Sequence, residues 1–231
     1  MKDLIIIGAG GYAQEVLWVV DDINQSGSTW RFLGFVDPTQ PHRRGQELYD
    51  RPILGGWDNL PLGRNLYFAC GIGDPSARKQ EVECASSKGL IPATLVHPSV
   101  IVANHVTIGD GSIIGPRCVL APYATIGRHC ALNIGVVVGH NSKTGDYCVL
   151  SPGAQVLGNV QLGERVFMGA NATVYAGRKV GPGSTLVANS FLLTNLDAEA
   201  SAVGVPATKF AVATGSGICT NQEKKSSGDR Q

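Results

Sequence analysis

A repeat of six residues is visible in the stretch LAPYATIGRHCALNIGVVV, residues 120–138. The aliphatic side chains of this stretch recur at every sixth position: Leu120, Ile126, Leu132 and Val138. The same register runs from Val102 to Leu192, and fifteen of its sixteen positions are aliphatic or Met, with Thr144 as the exception. A strand repeats every 2 residues and a helix every 3.6, so neither alone sustains a period of six. The pattern predicts a parallel β-helix built of hexapeptides.

The other positions of the repeat suit the tight corners of such a β-helix. A mostly small residue follows each aliphatic after four positions, and Gly often follows it directly, as at Gly109 and Gly115. Gly adopts backbone conformations that a Cβ forbids. Three hexapeptides form one triangular coil, so residues 18 apart should stack about 4.8 Å from each other. The register never slips, so we expect no long loop within the repeat.

Composition limits the classes of function. At 231 residues the chain has room for two modest domains, and its net charge of +1 gives no reason to expect a nucleic acid or an anionic membrane as partner. No run of 18 apolar residues exists, so no transmembrane helix is predicted. The apolar run Leu4–Ile7 ends at Gly8 and is too short for the core of a signal peptide. We therefore expect a cytoplasmic protein.

The six cysteines do not form a recognisable metal or redox motif. There is no CxxC pair and no His/Cys cluster with zinc spacing, so we expect no metal site. Cys118, Cys130 and Cys148 occupy the small inward position of the repeat, and the last two, 18 residues apart, should stack. A disulfide between them is geometrically conceivable, but thiols stay reduced in the cytosol and Cys packs well as a small apolar residue. We interpret these cysteines as core.

The chain before the repeat predicts a small α/β domain with a mostly parallel sheet. The apolar run Leu4–Ile7 enters the turn Gly8–Tyr12, and a helical pattern follows. Gly8, Gly10 and Ala13 approximate the GxGxxA dinucleotide fingerprint. A turn of this kind leaves N–H groups at a helix N-terminus, where they suit a phosphate or diphosphate. The alternative is that the glycines serve only the backbone of the turn.

Further strands are predicted at 32–36 and 66–70, a helix from about Pro75 to Lys88, and a last strand near 93–96. The first of these strands ends in Asp37, where a ribose-binding acid is expected, and the second ends in Gly71. These strand ends should meet the glycine turn at the carboxyl edge of the sheet, where ligands bind. About four strands are too few for a redox Rossmann domain, so a nucleotide or nucleotide-sugar pocket is favoured over an NAD site.

Within the repeat, His140 is the candidate for chemistry. Adding 18 places Gly158 above it on the next coil, which leaves an open notch with an imidazole below and an unobstructed N–H above. Acyl transfer from a thioester needs such a pair, a base for the attacking group and a donor for the oxyanion. A single His at a corner of a β-helix is more often a solvent-exposed residue without a catalytic role. His105 and His129 also fall at turns but have no Gly stacked on them.

Several motifs together resemble the sialic acid O-acetyltransferase/nucleotide-sugar N-acetyltransferase family, whose members carry a left-handed β-helix and are usually trimers. The resemblance extends from Leu4 to about Phe210. The segments that carry it are Gly8-Ala9-Gly10-Gly11, Phe35-Val36-Asp37-Pro38, Ala69-Cys70-Gly71-Ile72-Gly73, His140-Asn141-Ser142-Lys143-Thr144-Gly145-Asp146, Pro152-Gly153-Ala154, Gly158-Asn159-Val160 and Gly204-Val205-Pro206-Ala207.

This resemblance implies a homotrimeric, acetyl-CoA-dependent N-acetyltransferase acting on a UDP-, dTDP- or GDP-linked amino sugar for surface-glycan synthesis. It implies that His140 is the general base, with Asn141 beside it, and that the Gly158 N–H binds the acetyl carbonyl. Ala170 and Ala188 would lie along the pantetheine groove between subunits. The residues that would line the nucleotide-sugar pocket are Gly10, Gly11, Tyr12, Asp37, Pro38 and Gly71.

Two residues depart from the family pattern. The family commonly has Glu or Asp directly after the catalytic His, where this chain has Asn141, and some members have a second His where it has Val149. An acid raises the basicity of an imidazole, whereas Asn orients it without adding charge. Two alternatives therefore stay open: an O-acetyltransferase acting on sialic acid or a similar sugar, and a non-catalytic trimeric scaffold that binds a nucleotide sugar.

A zinc hydratase on the same β-helix is disfavoured, because His105, His129 and His140 do not share the 18-residue register. The chain is predicted to divide into a Rossmann-like nucleotide-sugar-binding domain (1–96), a β-helix acyltransferase domain (97–210) and a disordered tail (211–231).

Overall fold

The computed structural model describes residues 1–60 and 65–210. The predicted tail, 211–231, lies outside the described residues. No helix within the described ranges is both long and apolar enough to span a membrane.

The N-terminal part is a six-stranded sheet with two helices. Its strands lie in the order β3-β4-β2-β1-β5-β6, and all neighbours are parallel except the β3–β4 hairpin. The strands span Lys2–Ile7 (β1), Trp30–Val36 (β2), Glu47–Leu48 (β3), Arg51–Gly55 (β4), Tyr67–Cys70 (β5) and Ile91–Pro92 (β6). The helices span Gly11–Ser26 (α1) and Pro75–Ser87 (α2), and two short 3-10 helices span Pro41–Arg43 and Trp57–Asn59.

Each helix begins where the sequence places a start signal. Helix α1 follows the glycine turn and buries one apolar face, which includes Val16 and Val20, against the sheet. Helix α2 has Pro75 at its first position, and the carboxylate of Asp74 caps it by accepting a hydrogen bond from the Ala77 N–H at 2.8 Å. The expected mostly parallel sheet with a helix after the first strand is therefore confirmed.

The rest of the chain is a β-helix of two-residue strands stacked into three flat faces. Face 1 contains β7 (Leu95–Val96), β10 (Ile113–Ile114), β13 (Ala131–Leu132), β16 (Val149–Leu150), β19 (Phe167–Met168) and β22 (Thr185–Leu186). Face 2 contains β8 (Ile101–Val102), β11 (Val119–Leu120), β14 (Val137–Val138), β17 (Gln155–Val156), β20 (Thr173–Val174) and β23 (Phe191–Leu192). Face 3 contains β9 (Thr107–Ile108), β12 (Thr125–Ile126), β15 (Lys143–Thr144), β18 (Gln161–Leu162) and β21 (Lys179–Val180).

The register predicted from the sequence is confirmed along the whole stack. Each strand pairs in parallel with the strand 18 residues away, as Leu132 does with Leu150. The sixth-position side chains form one continuous core. The exception, Thr144, is buried in the same column, and its hydroxyl accepts a hydrogen bond from the Gly127 N–H at 3.0 Å. A hairpin of β24 (Ser201–Gly204) and β25 (Ala207–Phe210) closes the end of the stack.

The cysteines of the repeat are free thiols inside this core, as the sequence predicts. Burial raises the pKa of the Cys118 thiol to about 11, so it packs as a neutral group.

Two details differ from the sequence expectations. The last strand of the N-terminal sheet is β6 at Ile91–Pro92, and Leu95–Val96 pairs instead with Ile113–Ile114 as the first coil of the β-helix. The β3–β4 hairpin was not expected, because its short strands contain Pro52 and no apolar alternation. The division of the chain into domains at residue 96 stays a prediction.

The N-terminal domain packs on face 1 of the β-helix and on both edges of that face. Outward residues of face 1, Leu95 and Ile113, join the apolar core of α1 and the sheet. Lys79 of α2 forms an ion pair with Glu164 at 2.8 Å, on the corner between faces 3 and 1. At the corner between faces 1 and 2, α1 and the β-helix enclose a small cavity. Residues 1–60 and 65–210 leave faces 2 and 3 uncovered.

The outward residues of these two faces differ in character. Face 3 presents polar side chains: Thr107, Thr125, Lys143, Gln161 and Lys179. Face 2 presents a largely apolar row: Ile101, Val119, Val137, Gln155, Thr173 and Phe191. Ile101 is 64% exposed, so this row includes apolar surface that the described residues do not cover.

Candidate active site

A cleft of about 390 Å³ opens at the carboxyl edge of the N-terminal sheet. All six residues predicted to bind the nucleotide sugar line it: Gly10, Gly11, Tyr12, Asp37, Pro38 and Gly71. The cleft lies where β1, β2 and β5 end side by side, which is the expected ligand position in an open parallel sheet. The fold thus brings together predicted site residues that lie in three separate turns of the sequence.

The glycine turn leaves the N-terminus of α1 open to this cleft. Gly10 is the N-cap residue, no side chain caps the helix, and its first turn contains no acidic residue. The Ala13 N–H donates to the Gly10 carbonyl at 3.1 Å, but the N–H groups of Gly11 and Tyr12 meet no acceptor in the described residues, as an anion site requires. Gly71 is needed for packing, since a Cβ there would lie 2.8 Å from the Cα of Ala13.

Tyr12 and Asp37 contribute differently from what the sequence suggests. The Tyr12 hydroxyl is buried without a hydrogen-bond partner in the described chain, and burial raises the pKa of this phenol. Asp37 is 4% exposed, and its carboxylate accepts hydrogen bonds from Thr39 Oγ1 at 2.8 Å and the Gln40 N–H at 3.1 Å. Arg43 donates to its other oxygen at 3.0 Å. Asp37 therefore holds the loop that forms one wall of the cleft, and its role as a ribose ligand stays a prediction.

Arg43 is a cleft residue that the sequence reasoning missed. Its Nη1 also donates to the Ala9 carbonyl at 3.3 Å, so the guanidinium joins the loop after β2 to the glycine turn. The sequence offered a weak signal, a basic cluster directly after a strand-ending acid, but a short Pro/Arg loop is usually solvent-exposed.

His140 and Gly158 meet on the corner between faces 2 and 3, on adjacent coils. A Cβ built on Gly158 would overlap Nε2 of His140 and lie 2.6 Å from its Cε1, so the imidazole lies directly against the glycine. The backbone holds this stacking, because Asn159 donates its N–H to the His140 carbonyl at 2.8 Å. The Gly158 N–H donates to no acceptor in residues 1–60 and 65–210. The base and the free donor that acyl transfer needs are therefore adjacent.

Asn141 orients the imidazole through a side-chain hydrogen bond. Its Nδ2 lies 3.0 Å from Nδ1 of His140, with Asn141 itself at a φ of 57°. With Nδ2 as donor, Nδ1 is the acceptor and a neutral ring carries its proton on Nε2. A 180° rotation of the amide presents Oδ1 instead, which accepts a proton from Nδ1 and leaves Nε2 as the free base. Either tautomer is therefore accessible with Asn, whereas a carboxylate selects the second.

Ala170 and Ala188 do not lie near His140 in the same chain. They stack on each other at the corner between faces 1 and 2, and the Asn189 N–H donates to the Ala170 carbonyl at 2.8 Å. The nucleotide cleft belongs to the domain on face 1, and the His140 corner is opposite that face. One chain thus carries the nucleotide cleft, the His140 corner and the corner of Ala170 and Ala188 on different sides of the β-helix.

His129 is buried at the corner between faces 3 and 1, stacked between Phe68 and Tyr147 at ring separations of 6.1 and 5.5 Å. Burial, with the nearby cations Arg78 and Arg128, lowers the pKa of its imidazole to about 4. The residue is therefore a neutral packing group near pH 7.

Residues 3–84 match the PglD N-terminal domain family. The UDP-N-acetylbacillosamine N-acetyltransferase of Bacillus subtilis (strain 168) is 30% identical to this chain over 115 residues, which are 49% of this chain and 51% of that protein. The match thus spans about half the length of the curated relative.

Solved structures match over nearly the whole chain. A histidine-to-asparagine variant of perosamine N-acetyltransferase from Caulobacter crescentus, in complex with CoA and GDP-perosamine, has a TM-score of 0.81 and 28% identity, covering 92% of this chain and 98% of that one. PerB from Caulobacter crescentus, also with CoA and GDP-perosamine, has a TM-score of 0.80 and 28% identity over 91% and 98% of the chains. The acetyltransferase domain of PglB from Neisseria gonorrhoeae FA1090 shares the fold, with a TM-score of 0.81 and 22% identity over 91% and 100%. The left-handed β-helix and the resemblance to the sialic acid O-acetyltransferase/nucleotide-sugar N-acetyltransferase family, both predicted from the sequence, are therefore confirmed.

Proposed function

We propose that this protein transfers the acetyl group of acetyl-CoA to the amine of a nucleotide-linked amino sugar, in the cytoplasm, for the synthesis of a surface glycan. The observation that carries the proposal is the contact of the His140 ring with Gly158, whose N–H is free. Two further observations support it: the open N-terminus of α1 in a cleft large enough for a nucleotide, and the likeness to enzymes that bind CoA and GDP-perosamine.

In the proposed reaction the sugar amine attacks the carbonyl carbon of the thioester. Nε2 of His140 takes a proton from the attacking nitrogen, and the Gly158 N–H donates to the carbonyl oxygen as negative charge develops there. The C–S bond then breaks, CoA leaves as the thiolate, and the acetamide remains on the sugar. For this step the Asn141 amide is rotated so that its Oδ1 accepts the proton of Nδ1, which leaves Nε2 as the free base.

The proposed enzyme is a homotrimer, because the site is incomplete in one chain. The nucleotide cleft is on the side of face 1, and His140 is on the opposite corner. The apolar row of face 2 is the surface expected to meet other copies. If three copies place face 2 around a threefold axis, the corner between faces 2 and 3 of one copy lies beside the corner between faces 1 and 2 of the next. His140 then meets Ala170 and Ala188 of the partner across one groove.

Thiol release from acetyl-CoA tests the function directly. The acceptors are UDP-, dTDP- and GDP-linked 3- and 4-amino sugars, together with free sialic acid as a hydroxyl acceptor. Turnover with an amino sugar supports the proposal. Turnover with sialic acid alone favours the O-acetyltransferase, and failure to bind acetyl-CoA favours the scaffold, for which Asn141 in place of an acid is the supporting feature.

A further inference from the structure

Arg78 of α2 is a fully buried cation, with 0% of its surface exposed. Its guanidinium donates four hydrogen bonds, all to backbone carbonyls. The acceptors are the carbonyls of Cys70 at 2.8 Å, Ile72 at 3.0 Å, His129 at 2.6 Å and Cys130 at 3.5 Å. These bonds engage four of its five N–H groups, but they leave its charge without an anionic partner in the described residues. No carboxylate in residues 1–60 and 65–210 forms an ion pair with it.

The side chains that pack around Arg78 are neutral. Glu81, three residues further along α2, lines the cleft, but its carboxylate accepts a hydrogen bond from the Trp57 indole at 2.9 Å and forms no ion pair with Arg78 in the described residues. Burial lowers the pKa of the His129 imidazole to about 4, and burial raises the pKa of the Tyr12 phenol and of the Cys70 thiol. All three groups are therefore neutral near pH 7. An unpaired buried charge is destabilising, so its presence calls for a counter-charge that arrives from outside the chain.

The backbone next to Arg78 points toward the place where that counter-charge would bind. The carbonyl of Ile72 accepts from Arg78, and the peptide bond between Ile72 and Gly73 is trans. The Gly73 N–H therefore points in the opposite direction, away from the buried guanidinium. Gly73 lines the nucleotide cleft, and its N–H meets no acceptor in the described part of the chain. A cation on the carbonyl side of a peptide strengthens the N–H on the other side as a donor.

The opposite wall of the cleft carries the open N-terminus of α1, beginning at Gly10 and Gly11. The two walls approach closely, since a Cβ on Gly8 would lie 3.1 Å from the Gly71 carbonyl oxygen. Donors therefore converge on the cleft from two backbone segments. A ligand with two linked anionic groups can engage both walls at once.

We propose that Arg78 is the buried counter-charge for the diphosphate of the bound nucleotide, and that it acts through the N–H of Gly73. This inference rests on the function proposed above and assigns a second wall to its diphosphate site. Arg78 is thus a positioning residue, since it does not contact the ligand itself. The competing explanation is that Arg78 serves only to join α2 to the β-helix through the carbonyls of His129 and Cys130.

Two substitutions at Gly73 test the N–H through which Arg78 is proposed to act. Gly73→Pro removes the N–H, whereas Gly73→Ala keeps it, and a Cβ at this position meets no atom within 4 Å. Calorimetry would measure the affinity of each variant for UDP, GDP and dTDP and for the three matching nucleosides. We expect Gly73→Pro to bind the preferred diphosphate about tenfold or more weakly than Gly73→Ala does, while the two variants bind the matching nucleoside equally well. Equal diphosphate affinities for the Pro and Ala variants would overturn the inference.

Arg78→Met supplies the second measurement, with Arg78→Lys as the variant that keeps the charge. If Arg78 acts on the diphosphate, Met lowers the ratio of diphosphate to nucleoside affinity and Lys retains part of it. A purely structural role predicts a lower melting temperature with an unchanged ratio. Should Arg78→Met fail to fold, Arg78→Gln, which removes the charge but keeps hydrogen-bond donors, replaces it in the same comparison. If the wild-type protein binds none of the diphosphates, the proposed function is overturned as well. If it binds a diphosphate and Gly73→Pro does not change that affinity, only this inference is overturned.

Discussion

The imidazole of His140 lies so close to Gly158 that the glycine leaves no room for a side chain, since a Cβ there would be 2.6 Å from Cε1 of the ring. The corner itself tolerates a Cβ, because Ala176 occupies the same position one coil further on. The requirement for Gly at 158 therefore comes from the histidine and not from the backbone. This contact is the basis of the first two predictions.

We expect Gly158→Ala to displace the His140 ring and to lower kcat by about 10²-fold with little loss of stability, because His140 is exposed and can move outward. Steady-state kinetics and a melting curve measure both effects. The control is the double variant with His140→Ala, which should be no slower than His140→Ala alone. A lower kcat in the double variant than in His140→Ala would mean that the added methyl group lowers kcat independently of the imidazole ring.

Replacement of His140 with Ala should lower turnover by about 10²–10⁴-fold, the usual contribution of a general base. The side chain is exposed and its neighbours are held by backbone hydrogen bonds, so the melting temperature should change little. His105→Ala, at another exposed corner, is the matched control and should keep full activity. Near-normal turnover in His140→Ala would remove the histidine from the mechanism.

Asn141→Asp should increase activity. The carboxylate only accepts hydrogen bonds, so it selects the tautomer with a proton on Nδ1, and its charge stabilises the imidazolium that forms during the reaction. Asp also tolerates the left-handed backbone at this position, where φ is 57°. We expect a rise in kcat of up to about tenfold at neutral pH. Asn141→Ala, which loses the hydrogen bond, should be slower than wild type, and the reverse order of the two variants would exclude this orienting role.

The main features of the fold could be predicted from the sequence because the β-helix repeats locally. Stacking at 18 residues follows from the period of six, so the pairing of His140 with Gly158 could be found by addition. The burial of Arg78 could not be predicted from the sequence, because a charged residue in a predicted helix is normally solvent-exposed. Its acceptors at His129 and Cys130 also lie about fifty residues away in the chain. Likewise, no local pattern states which face the N-terminal domain covers, so the separation of His140 from the cleft emerged only from the structure.

His129 makes stability depend on pH in a defined direction. The pKa of its imidazole is lowered from 6.5 to about 4 in the folded protein, chiefly by burial, so the unfolded chain binds a proton more readily in that interval. This contribution to stability is complete above pH 6.5 and is lost as the pH falls toward 4, by about 3 kcal/mol at most. Urea unfolding between pH 7.5 and 4.5 should show a steeper decline for wild type than for His129→Phe.

The control for His129 is His105→Phe. His105 stacks on Tyr123 and, like His129, has a left-handed backbone, but it is exposed. Its removal should leave the wild-type slope in place. Identical slopes for all three proteins would show that His129 titrates normally in the folded state.

The shared site of the proposed trimer can be tested by mixing two inactive variants. His140→Ala removes the base, and Gly10→Leu fills the nucleotide cleft, where a Cβ meets no atom within 4 Å and folding is undisturbed. If each site combines the cleft of one chain with His140 of the next, trimers refolded from an equal mixture contain about a quarter of intact sites. If both parts come from one chain, no site is intact and the mixture stays inactive.

The control for this mixing experiment is a variant that cannot form trimers. Val137→Asp places a charge in the apolar row of face 2 and should give monomers in sedimentation, whereas Thr125→Asp on polar face 3 should leave trimers. Recovered activity that vanishes when both chains also carry Val137→Asp would assign the complementation to face 2. Activity that is recovered even in monomers would contradict the shared site. A single chain holds His140 and its own cleft on opposite sides of the β-helix.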